Sequence, residues 1–97
     1  MLSNTGVEAA DVDEVVLGQV LGGGQGQNPA RQASVGGGLG HQTTALTVNM
    51  VCGSGLRAVM MAAQSVALGE AGIVLAGGME NMSQARHSVH MRAGVLL

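Results

Sequence analysis

The sequence predicts an α/β domain built from parallel βαβ units, and three observations carry that reading. Runs rich in Val, Leu, Ile and Thr alternate with segments of helical pattern, in the order strand, helix, strand, helix, strand. Such an order implies parallel strands joined by right-handed crossovers. Glycine makes up 17 of the 97 residues, against a usual share of about 7%. It follows no fixed period, which excludes collagen-like and solenoid repeats. Phe, Tyr and Trp are absent, so the bulk of the core falls to Val, Leu and seven Met residues. Methionine is an adaptable filler that specifies packing weakly. A chain of this kind holds together by packing backbone closely on backbone.

Taken in order, residues 8–12 are a polar lead-in and residues 13–20 (DEVVLGQV) read as a strand. GGGQGQ at 22–27 is a loop, since consecutive glycines weaken any regular element. Asn28 followed by Pro29 is a helix start, an N-cap and then proline at the first helical position. The helix continues through Ala30, Arg31, Gln32 and Ala33 and stops by Gly36-Gly37-Gly38. Residues 45–51 (ALTVNMV) read as a second strand, and residues 55–68 as a helix closed by Gly69 in the C′ position. The polar residues of that helix are Arg57, Gln64 and Ser65 alone, so it is expected to be buried on nearly every side. IVLA (73–76) is a short buried strand, GGMENMS a turn, and residues 84–97 show no clear period. A helix buried all round needs a layer on each side, more than 97 residues readily supply. The expectation is one domain over residues 1–97, and an incomplete one.

Composition narrows the function classes. The formal net charge is −2, a tenth of the residues are charged, and four are basic. Neutralising phosphates takes clustered Lys and Arg, so nucleic acid is not expected as a partner. No apolar run reaches the roughly 20 residues of a membrane span. The start, MLSNTGVEAAD, has neither the basic nor the apolar region of a secretory signal. One cysteine cannot form an internal disulfide, which fits a reducing, cytoplasmic setting.

That cysteine, Cys52, stands where a β-type run gives way to Gly53, Gly55 and an apolar helix. Unpaired N–H groups at a helix start favour a thiolate. A helix end is worth about 0.3–1 kcal/mol against about 1.4 kcal/mol per pKa unit, so the dipole alone leaves an ordinary thiol mostly protonated at neutral pH. A nucleophile so placed also needs a base; the competing reading is a small buried hydrophobe. His87 and His90 are three apart and would share a face on a helix, as metal ligands can, yet no Cys, Asp or Glu lies close in sequence to complete a site. His41 falls in a glycine-rich loop and is expected to be solvated. Residues 53–58 (GSGLRA) fit a dinucleotide fingerprint, but the acid expected about 20 positions on is missing and Glu80 comes late, in a turn. No GK[ST] is present, which excludes a P-loop, and Gly55 and Leu56 break a papain-like C-G-S-C-W signature.

Four segments occur together: LGQVL (17–21), GQGQNPARQA (24–33), NMVCGSGLRAV (49–59) and AGGMENMS (76–83). In this order and spacing they resemble the N-terminal half of the thiolases, the acetyl-CoA acetyltransferase family. The resemblance covers nearly the whole chain and only part of a family member. It implies a partial thiolase fold with Cys52 as the acyl-accepting nucleophile, Gly53 and Gly55 shaping its turn and supporting an oxyanion, and Asn49 matching a family asparagine. It implies condensation of two acetyl-CoA to acetoacetyl-CoA and the reverse thiolysis, with coenzyme A as part of the substrate. No metal or bound cofactor is implied, and the full-length form would be a homodimer or homotetramer. The family's GHP motif with its acid–base histidine, its CxG motif and its opening ART motif are not in this sequence. GGGLG (36–40) stands where the family tends to carry Lys-Ala-Gly and a proline. The chain alone is therefore expected not to turn over acetyl-CoA; a remnant without activity, or a subunit-interaction piece, is the alternative.

Overall fold

The computed structural model describes residues 1–92 and 94–96. The chain opens with one helical turn, α1 (Leu2–Thr5), closed by Gly6 at φ 74°, and a 3₁₀ turn at Ala9–Asp11. Strand β1 (Glu14–Gly18), helix α2 (Pro29–Gly36), strand β2 (Thr44–Val48), helix α3 (Ser54–Ala67) and strand β3 (Val74–Gly78) follow. A second 3₁₀ turn (Met82–Gln84) leads to an antiparallel pair, β4 (Val89–Met91) and β5 (Gly94–Leu96).

The first three strands form one parallel sheet in the order β2-β1-β3, with Val16 opposite Leu46 on one side and Ala76 on the other. The path from β1 to β2 steps one way, and the path from β2 to β3 crosses back over β1. Crossovers of one hand then put α2 and α3 on opposite faces. The central strand is sealed from both sides: Val15 is 1% exposed and Val16 0%. Val15 joins Val12 and Leu39 in the core beneath α2, while the even-numbered positions of β1 face α3. Burying each of these valines contributes roughly 1.5–3 kcal/mol.

The α2 start forms as its sequence suggests. The Asn28 side chain accepts the Arg31 N–H at 3.3 Å, and Pro29 occupies the first turn. Asn28 itself lies at φ 43°, a left-handed position that asparagine tolerates. Thr47 of β2 donates its hydroxyl to Asn28 Oδ1 at 2.7 Å and accepts the Ala30 N–H at 2.9 Å, which ties the cap to the sheet.

Several expectations are corrected. Strand β1 stops at Gly18 rather than residue 20 because the Val20 and Leu21 N–H groups turn to the Glu80 carboxylate. Strand β2 ends at Val48 because Asn49 folds back onto the following turn. Helix α3 is buried on one side only. Ser54, Ala58 and Ala62, four apart, face the sheet, whereas Leu56 is 69% and Val59 51% exposed. A three-stranded sheet offers it one layer, and the small residues are the ones turned inward. Strand β3 is half-buried, not buried, because it is an edge strand. The tail carries β4 and β5, three residues each, too short to show a period. His90 lies on β4 and His87 in non-helical chain before it, so they share no helix face.

Asp13 closes the sheet's far end. Its carboxylate accepts the N–H groups of Gly72 at 2.7 Å and Ile73 at 3.1 Å. Those bonds, Gly72 first, hold its pKa below the ordinary value of 3.8 against a small opposing effect of desolvation. A depressed folded-state pKa contributes stability above the unfolded value that disappears as pH falls through the folded one. Thermal unfolding followed from about pH 7 to pH 2 should show the melting temperature falling below about pH 4. In Asp13→Asn the protein should melt lower at neutral pH and lose less on acidification.

Candidate active site at Cys52

Cys52 is exposed on the turn between β2 and α3, beyond the carboxyl ends of the strands. In open α/β sheets this is the edge where ligands bind. The turn is strained at one residue. Val51 lies at φ 52°, a left-handed conformation costly for a β-branched side chain.

Two side chains hold the strained turn. Asn49 accepts the Val51 N–H at 2.9 Å and donates to the Val20 carbonyl at 3.3 Å. Ser54, 4% exposed, accepts the Met50 N–H at 2.8 Å and donates to the Val51 carbonyl at 2.6 Å. Backbone bonds Gly53 N–H to Met50 O and Ser54 N–H to Val51 O complete the loop. The next two N–H groups of α3, on Gly55 and Leu56, have no backbone acceptor among the described residues. They form the donor end that any helix start presents.

Beneath the turn, Gly18 at the end of β1 is the closest approach. A Cβ there would lie 2.6–2.8 Å from Ser54 C, Ser54 Cβ and Gly55 N. Its register partner on β3, Gly78, meets only ordinary contacts, 3.6 Å to Gly18 O and 3.8 Å to Gly55 Cα. Across the sheet end, Glu80 accepts Val20 N–H at 2.9 Å and Leu21 N–H at 3.3 Å, tying the exits of β1 and β3 together. The result is an open cleft of about 400 Å³ bordered by Gly18, Val20, Val51, Cys52, Met79 and Met82, with Glu80 at its rim.

The sequence-derived residues take the following places. Cys52 and Gly55 line this cleft. Neither Gly53 nor Gly55 uses a glycine's conformational freedom: Gly53 has φ −86°, and nothing lies within 4 Å of a Cβ at Gly55. The tight approach falls to Gly18 and the strain to Val51. Asn49 binds backbone on both its polar ends. Sequence reasoning singled out neither Gly18 nor Ser54, and weighed Glu80 only as a late acid for a dinucleotide site; a glycine inside an apolar strand, as in LGQVL, is the signal that marks a close backbone approach. Glu80 is committed to two backbone amides, which removes it as the ribose acceptor that a dinucleotide site would need. His41 is exposed with Nδ1 3.4 Å from Arg31 Nη2. No histidine borders the cleft among the described residues. Nor do the described residues contain a group of three or more His, Cys, Asp or Glu able to hold a metal, or a helix long and apolar enough to cross a membrane. A second cavity of about 450 Å³ lies between α1, α2 and β1; serines are its polar side chains, and it holds no acid, histidine or cysteine.

Comparison with known proteins places the chain among relatives. The family described as the N-terminal domain of thiolase matches residues 1–97. An acetyl-CoA acetyltransferase of Rhizobium meliloti is 56% identical over 95 residues, 98% of this chain and 24% of that protein. A cytosolic acetyl-CoA acetyltransferase of Rattus norvegicus is 54% identical over the same shares. Among solved structures, the Acat5 thiolase of Ascaris suum in complex with coenzyme A superposes with a TM-score of 0.88 at 34% identity, covering 94% of this chain and 24% of that one. The chain thus spans about a quarter of the length of the relatives it matches.

The packing beneath the turn yields a paired test. Gly18→Ala should lower stability by about 1–3 kcal/mol, the range for overpacking, and change the rate at which iodoacetamide alkylates Cys52. Gly55→Ala should leave both close to wild type, because space is open there. Ser54→Ala should cost about 1–3 kcal/mol in urea unfolding, since it strips the acceptor from the Met50 N–H.

Proposed function

The chain belongs to the thiolase family, and from that premise we propose that Cys52 accepts the acyl group of a coenzyme A thioester. The reaction is the condensation of two acetyl-CoA to acetoacetyl-CoA, and its reverse thiolysis. The observation that carries this reading is the turn itself: an exposed cysteine on a strained, doubly braced turn at the carboxyl edge of a parallel sheet, opening into a cleft. Strain of this kind is kept where the surroundings over-determine it, and it clusters at functional sites.

The chemistry follows from the geometry. The Cys52 thiolate attacks the thioester carbonyl carbon, and the carbonyl electrons move to oxygen as a tetrahedral oxyanion. The Gly55 and Leu56 N–H groups, at the start of α3 just after Cys52, are unpaired donors among the described residues, and their positive end favours the developing charge. The oxyanion collapses, the bond to coenzyme A sulfur breaks, and the thiol leaves with a proton. A second acetyl-CoA, deprotonated at its methyl carbon, then attacks the acyl-enzyme. Asn49 and Ser54 act by holding the turn's path rather than by touching substrate.

Both proton transfers need a base. No histidine borders the cleft among the described residues, and a cysteine nucleophile of this kind works with a neighbouring base. The 97-residue chain by itself is therefore not a catalyst of turnover. Purified chain should give no acetoacetyl-CoA thiolysis above background. It should still take up one acetyl group from acetyl-CoA at about pH 9, where hydroxide in solution can supply the missing base, and Cys52→Ala should take up none. Turnover lost in Cys52→Ala would refute the claim of inactivity, whereas acetylation that survives Cys52→Ala would remove the nucleophile assignment.

A further inference from the structure

The cavity between α1, α2 and β1 shares no lining residue with the Cys52 cleft. Side-chain size explains why it is there. Helix α2 packs over β2 and β1, and along this wall it presents Ala33, Ser34 and Gly37, too small to fill the space. Val15, its register partner Leu75, Leu17 and Leu39 make the rest of the lining mainly apolar. Ser34 is the exception. It is 4% exposed, and its Oγ is buried without a hydrogen-bond partner among the described residues. A serine within a helix can return its hydroxyl to the carbonyl four residues back; this one does not, and it borders the cavity instead. A buried hydroxyl left unpaired is disfavoured, so a molecule that supplies the missing partner is favoured there.

We infer that this cavity binds an uncharged aliphatic molecule with a terminal hydroxyl, its chain against Val15, Leu17, Leu39 and Leu75 and its hydroxyl on Ser34 Oγ. The volume of about 450 Å³ falls within the usual range of small-molecule sites, about 300–1,000 Å³. An apolar cavity of about a third that size takes up benzene. A ligand hydroxyl both donates and accepts, so it can pair with a serine hydroxyl in either sense. No charged side chain borders the cavity among the described residues to pair with a carboxylate or an ammonium, and such a group stays better hydrated outside.

The test titrates n-octanol into the 97-residue chain at neutral pH and follows backbone amide NMR shifts. Binding should saturate with a Kd of about 1 mM or tighter, and the shifts should centre on residues 15–17, 33–39 and 75. n-Butanol, with less chain to bury, should bind at least about tenfold more weakly, and octanoate likewise. Ser34→Ala removes a hydroxyl that the fold leaves unpaired. It should weaken n-octanol by about three- to tenfold and leave n-octyl chloride, which has no hydroxyl, unchanged. Ala33→Leu, at an exposed position of α2, should occupy the space and weaken both octyl ligands. Shifts that do not saturate or that centre elsewhere would overturn the inference. So would octanoate binding as tightly as n-octanol, or n-octanol binding unchanged in Ser34→Ala. None of these outcomes bears on Cys52 as acyl acceptor.

Discussion

The structure turns on the contact between the last residue of a strand and the first residues of a helix. Gly18 leaves no room for a Cβ above it, and into that space go Ser54 and the Gly55 amide. With the start of α3 resting directly on β1, the turn that carries Cys52 is pressed against the sheet edge. On that path Val51 takes a left-handed conformation. Asn49 and Ser54 are the means by which that conformation is held. Strand, strain and braces form one unit, and enlarging Gly18 would act on all of it.

The same economy of size runs along α3. The residues turned to the sheet are Ser54, Ala58 and Ala62. The large ones, Leu56, Val59, Met60 and Val66, look outward. A helix that packs through its small residues comes close to the sheet, which suits a site whose wall is backbone. It also leaves an apolar face that this chain does not cover, in keeping with a chain that spans a quarter of its relatives' length.

Much of this was legible in the residues. The βαβαβ order, the Asn28-Pro29 helix start and the Gly69 stop after α3 emerge from propensity and capping rules acting locally, and the structure has all three. What escaped depends on distance. The hairpin of β4 and β5 is too short to leave a pattern, and the half-exposed α3 cannot be told from a buried helix by composition, because apolarity does not say how many layers lie against it. At the site, Cys52 stood out as the sole cysteine, and four motifs supplied its context. Gly18 and Glu80 did not stand out, since their roles come from residues 36 and 60 positions away. The glycines next to Cys52 drew attention that belonged to a glycine in another strand.

Those long separations set the order in which the molecule can assemble. Both clamps across the sheet, Glu80 to Val20 and Asp13 to Gly72, join segments 60 and 59 residues apart. The strand at the centre of the sheet is the first to be made, and its second neighbour is the last. Helix α2 and the Asn28 cap can form from local contacts, whereas β3 must close a long loop before it earns any pairing. The Cys52 turn can be drawn early, but its cleft has one wall until Met79 and Glu80 arrive. During synthesis, then, the sulfur is accessible before the cleft around it is complete.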